Sequence, residues 1–216
     1  MNDDLNLLSI WISFSQIMKN SSIEEAYLSR SDDLTKTTTV FLDTLCALKR
    51  RGQRDVETIW NSAFHVNIID HDISVLQYFY TVTNDVWASR TALRMLVLVI
   101  YEAMNDLPKL YGKSFIEACK TADIYDSIAR EHKIMKKCLD QFKKENQFYF
   151  KDIRVKTAAH KEDEAFQFIQ SYLNIKEIYI LELAGKFREI LNDFGAFSQN
   201  VIEQVNQKYK QSGVIY

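Results

Sequence analysis

Arg154 and His160 are the two residues of this chain whose types and setting, at the end of its only basic segment, best suit chemistry at a phosphate. An Arg followed by a His six residues on is by itself a weak pattern. They lie in the segment DIRVKTAAHKED, from Asp152 to Asp163. An imidazole titrates near neutral pH, so His160 can take up a proton and return it. A guanidinium stays cationic and offers a planar fork of donors that fits two phosphate oxygens without help from a metal. Asp163 and Glu164 follow the histidine by three and four residues, where a carboxylate on a helix can orient the ring or raise its pKa. The spacing adds a constraint. Six residues at ~100° each leave Arg154 and His160 about 120° apart on a regular helix. Either the helix breaks between them, or a second copy of the chain completes the site. Ala158 and Ala159 beside the histidine are small enough to let such a copy approach.

Other chemistries find less support. No histidine has a glutamate three residues before it, so the E-x-x-H step of di-iron bundles is missing. His65, Asp70, His71 and Asp72 are metal-ligand types, but they crowd into one short segment. That segment reads as a polar loop with Asp72 capping the next helix, and no metal site is expected. Neither G-x-G-x-x-G nor G-x-x-x-x-G-K-[ST] occurs, which removes the glycine-loop nucleotide binders. Between Gly112 and Gly185 there is no glycine at all, so phosphate chemistry near Arg154 must come from side chains carried on helices.

The elements that hold this segment must be helical. Five glycines and one proline in 216 residues are too few for the turns of a β-rich fold, and the expected class is all-α. The longest apolar run, Met95 to Tyr101, is far below the ~20 residues of a membrane span. The acidic start of the chain does not resemble a secretory signal, and the three cysteines form no metal or disulfide pattern. Reduced core thiols in a cytoplasmic protein are therefore expected. A net charge of −2 hides a polarity: residues 130–161 carry 10 Lys/Arg against 4 Asp/Glu, and both flanks are acidic. A polyanion is expected to bind there, with Lys144, Lys151, Lys156 and Lys161 as backbone contacts. Phe148, Tyr149 and Phe150 are available for base stacking, although a core role suits such aromatics better.

Periodicity places helices over Leu5–Met18, from Ser31-Asp-Asp33 to Lys49, and over Ser114–Thr121, Tyr125–Tyr149, Tyr172–Phe194 and Ser198–Lys208. Thr83-Asn-Asp85 divides or kinks the apolar stretch from Ser74 to Asp106. Ile128, Met135, Phe142 and Tyr149 repeat at seven and mark a packing stripe. Residues 1–70 read as a helical extension packed on a bundle formed by 71–216.

From about Val86 to Phe194 the chain resembles bacterial HEPN-domain proteins, all-helical domains marked by Arg-x(4–6)-His. IRVKTAAHKED is similar to the family's Ile-Arg-Asn-x-x-Ala-Ala-His-Arg-Asp type of motif, and the apolar LVLVIYEAMNDLPKLYGKSF and the basic helix before the motif fit it as well. The resemblance implies a HEPN-like bundle and a metal-independent ribonuclease acting as a toxin or in phage defence. It also implies a homodimer with an RNA substrate, an antitoxin protein as a further partner, no cofactor, and Arg154 and His160 as the catalytic pair. Val155 departs from the polar residue that usually follows the arginine in catalytic members. A non-catalytic dimeric interaction module, binding a protein or nucleic acid, is the alternative implied.

Overall fold

The computed structural model describes residues 21–159, 169–170 and 172–211, and every element among them is helical. The order is α1 (Ser21–Arg50), α2 (Arg54–Val82), α3 (Val86–Leu110), α4 (Lys113–Thr121), α5 (Tyr125–Ile153), a π-helical turn (Arg154–Ala159) and α6 (Glu177–Gln211). The all-α expectation holds. The predicted helix Leu5–Met18 lies outside the described residues.

Local chemistry explains the boundaries. Gly52 stops α1 by taking φ +69°, a left-handed conformation open to glycine at little cost. Asp85 caps α3 by accepting from the Ala88 amide at 2.8 Å, so the Thr83-Asn-Asp85 signal does divide two helices. Pro108 sits within the last turn of α3. At Gly112 a Cβ would lie 2.8 Å from the Pro108 carbonyl oxygen, so the chain can turn into α4 only through a residue without a side chain.

Three expectations need correction. Ser31-Asp-Asp33 caps nothing, because α1 is already under way from Ser21. Residues 65–72 form no loop: they lie in the middle of α2, where Ile73 is fully buried one residue further on and holds the helix to the core. The helices expected over Tyr172–Phe194 and Ser198–Lys208 are one α6 that begins only at Glu177, after a break at residues 174–176, and that runs on through Gly195. Residues 70 and 71, where the sequence reading divides the chain, fall inside α2. Val56, Ile59 and Val66 on one side of that point share a single core with Leu96, Phe150, Phe187 and Phe197 on the other.

α2 is central, packing against α1, α3, α4 and α6, while α5 lies on α3 and α6. The heptad stripe of α5 faces inward: Ile128, Met135, Leu139 and Phe142 are buried. At the α3–α4 corner, Tyr111, Phe115, His132, Phe194 and Phe197 form an aromatic cluster. Its hydroxyls and the His132 Nε2 are matched. Ser198 donates to the Phe194 carbonyl, which leaves its oxygen to accept from the Tyr111 hydroxyl. The Tyr111 carbonyl accepts from His132 Nε2 at 2.8 Å, which fixes the proton on that nitrogen. Burial raises the pKa of the Tyr111 hydroxyl above the usual tyrosine value and pushes the Cys119 thiol up to about 12.

Candidate functional site

Arg154 stands where α5 stops being an α-helix. The α-helical backbone ends at Ile153, and Arg154–Ala159 winds as a π-helix against α3 and α5. Such wider turns are rare and often sit at functional positions. The winding changes at Arg154 itself, but a π-helical turn continues the helix and does not by itself turn residues six apart to one face.

The guanidinium of Arg154 is held on two sides by α3. Nε donates to Glu102 Oε1 at 2.9 Å, and the cation lies over the Tyr101 ring, 5.2 Å from its centre. Tyr101 and Glu102 are neighbours in α3 and reach one guanidinium by different routes, a flat π face and a carboxylate. The two terminal nitrogens of Arg154 carry no hydrogen bond among the described residues. The side chain is one-third exposed. One turn further along α3, Asn105 accepts from Lys143 of α5 at 2.9 Å, tying the same two helices together.

Of the other residues named from sequence, Lys144 and Lys151 are exposed on α5 and unpaired among the described residues. Lys156 is exposed, but its ammonium is matched by Asp152 at 2.8 Å, which reduces its attraction for a phosphate. His160, Lys161, Asp163 and Glu164 lie outside the described residues. Ala158 and Ala159 belong to the π turn, and nothing is described of their side chains. Val155 is exposed beside Arg154 and adds no polar group. Glu102 and Tyr101 were not legible as partners of Arg154. They lie 52 and 53 residues earlier, inside an apolar helix, and no local spacing points to them.

The His65–Asp72 residues do not converge on a common point. His65 Nδ1 lies 2.9 Å from the Asn61 carbonyl, and Asp70 accepts from Arg188 of α6 at 3.3 Å. Among the described residues, no group of three or more His, Cys, Asp or Glu side chains is placed to hold a metal ion. Cys46 and Cys138 are exposed, against the expectation of core thiols, and only Cys119 is buried. No helix among the described residues is long and apolar enough to cross a membrane.

Past the π turn, the chain is fixed again by α3. Arg90 donates to the carbonyls of Tyr172 and Leu173 at 3.1 and 2.8 Å and pairs with Glu177 at 2.9 Å. Glu177 also accepts from the Tyr80 hydroxyl at 2.9 Å. Burial, with the Glu177 charge adding to it, raises the pKa of that hydroxyl. Tyr172 stacks on Trp87 and donates to its carbonyl at 3.0 Å. The described residues on both sides of the stretch that includes His160 are therefore tied to α3.

No match was found among protein-family models, curated proteins or solved structures. Function must be argued from the residues themselves.

Proposed function

We propose that the chain is a metal-independent endoribonuclease of the HEPN type, acting as a toxin or phage-defence effector, with Arg154 as phosphate clamp and His160 as acid/base. The observation that carries this reading is the state of Arg154. Glu102 engages its Nε and Tyr101 its flat face, and no described residue takes up the terminal fork, which supports a role at a phosphate. An arginine that serves only as a structural ion pair has no need of an unused fork.

In this mechanism the 2′-hydroxyl of the RNA attacks the adjacent phosphorus while His160 takes its proton. The fork of Arg154 stabilises the charge on the non-bridging oxygens, and a proton then reaches the departing 5′-oxygen. The products are a 2′,3′-cyclic phosphate and a 5′-hydroxyl. A homodimer brings a second Arg154/His160 pair to the same cleft and supplies the second proton-transfer group.

The test is cleavage of single-stranded RNA in excess EDTA. Activity is expected to persist in EDTA, to fall by at least ~100-fold in His160→Ala, and to fall similarly in Arg154→Ala. Full activity in His160→Ala would overturn the assignment. If the site is shared across a dimer, mixing the two inactive variants restores part of the activity.

A second reading rests on Val155. An exposed apolar residue directly after Arg154 suits a protein-binding face better than a substrate pocket. In that reading the chain is a non-catalytic dimeric module that binds a protein or nucleic-acid partner, and RNA turnover by the purified chain excludes it.

A further inference from the structure

The geometry points to a single-strand nucleic-acid track along the outer face of α5, in which Phe148 is the stacking platform and Arg130, Lys133, Lys137, Lys144 and Lys151 hold the backbone. This inference rests on the proposed action on RNA and adds the residues that would guide the strand.

The structure separates three aromatics that are adjacent in sequence. Phe150 is fully buried in the core. Tyr149 is half-buried and packs edge-on against Phe150 and Tyr179. Phe148 is 75% exposed and belongs to no aromatic cluster among the described residues. Phe148 stands near the C-terminal end of the 29-residue α5, and a ring left that open adds little buried area to the core.

Its surroundings suggest what it meets. At 100° per residue, Arg130, Lys133, Lys137, Lys144 and Lys151 all fall within about 60° of the line through Phe148. All five are exposed, and none is paired with a carboxylate among the described residues. Lys144 lies one turn before Phe148 and Lys151 just under one turn after it, so the ring sits between two cations. By the same measure the carboxylates of this strip within about 60° of that line are Glu145 and, one turn after Phe148, Asp152. Glu145 already accepts from Gln141 and Asp152 is paired with Lys156, while Asp140 lies about 80° away. Lys133, Lys136, Lys137, Asp140, Gln141 and Lys144 line a shallow open depression of about 340 Å³. From Arg130 to Lys151 the strip runs for about 32 Å and ends one turn before Arg154.

Alternating cations with one exposed ring match a single strand, whose bases are free to stack on an aromatic face. A duplex keeps its bases stacked on each other and offers Phe148 nothing. An apolar protein partner is the weaker fit, because it would have to desolvate the surrounding lysines.

The test is fluorescence anisotropy with a 2′-O-methyl oligouridine of about ten nucleotides, which cannot be cleaved through a 2′-hydroxyl. Binding is therefore read independently of activity. Phe148→Ala is expected to weaken binding roughly tenfold, with Phe148→Trp restoring it. Lys144→Gln is expected to weaken binding and to reduce the slope of log affinity against log salt by about 0.7. A duplex of the same length is expected to show no loss with Phe148→Ala. Unchanged single-strand affinity in Phe148→Ala would overturn the track, as would an equal loss for duplex, or a change in oligomeric state showing that Phe148 is a contact between copies. If RNA is never cleaved but these binding results hold, the ribonuclease reading fails and the track stands. If RNA is cleaved and Phe148→Ala binds normally, the track alone fails.

Discussion

At the scale of single residues, the Arg154–Glu102 pair is not a stability device. Both side chains are substantially exposed, and pairs of that kind contribute little to folding. Its consequence is orientation. Glu102→Leu is expected to lower the kcat of RNA cleavage by about tenfold, with the thermal midpoint within ~2 °C of the parent. Glu102→Gln keeps an acceptor for Nε and is expected to retain most of the rate. Equal losses in the two variants would show that the carboxylate charge matters rather than the bond. The cysteines give an independent check on burial. At pH 8, Cys46 and Cys138 are expected to react with a thiol reagent in the native protein, and Cys119 only after unfolding. Its raised pKa and burial withhold the thiolate that would attack. That raised pKa also has a sign. The proton is favoured in the folded state, so its contribution is fully present below the unfolded thiol pKa of ~8.5 and is lost as pH rises through about 12. Sequence named Arg154, Lys144 and Lys151 because their types and charge density are local facts. It could not name Glu102 or Tyr101, whose relation to Arg154 exists only after α3 and α5 pack.

At the scale of elements, boundaries were legible where one residue type enforces them. Asp85 accepts from a helical amide, Gly52 takes a positive φ, and both were readable as punctuation. Boundaries were misread where polar residues mimicked them. Ser31-Asp-Asp33 and His65–Asp72 have the composition of caps and loops, yet tertiary contacts carry α1 and α2 straight through. The gap expected between Phe194 and Ser198 does not exist: α6 runs through Gly195, with Phe194 and Phe197 buried on either side of it. Gly112 is different, because its neighbours leave no room. Gly112→Ala is expected to destabilise the fold by about 1–3 kcal/mol, measured by urea unfolding. Gly195→Ala, with open space around its missing Cβ, is expected to be neutral or to stabilise α6 by up to about 1 kcal/mol.

At the scale of the whole molecule, the chain is a helical bundle with α2 at its centre and one face of α5 turned to solvent. The two ends of the stretch carrying His160 are tied down unequally. Arg154 meets Glu102 in a half-open contact, whereas Arg90, Glu177 and Tyr80 form a largely buried network with the Tyr172 and Leu173 carbonyls. Glu177→Ala leaves the Arg90 cation with only those carbonyls. It is expected to cost about 2–4 kcal/mol by denaturant unfolding. A cost below ~0.5 kcal/mol would show that the network is dispensable.

Both ties are made to α3, and this turns one helix into a ruler. Arg90 and Glu102 are twelve residues apart, about 18 Å along the axis and about 120° around it. Substituting an exposed residue between them, such as Met95, leaves that phase untouched. Inserting or deleting one residue there rotates one tie by about 100° relative to the other, and the two can no longer be made together. The middle of α3 should therefore tolerate changes of side chain at its surface while rejecting any change of length.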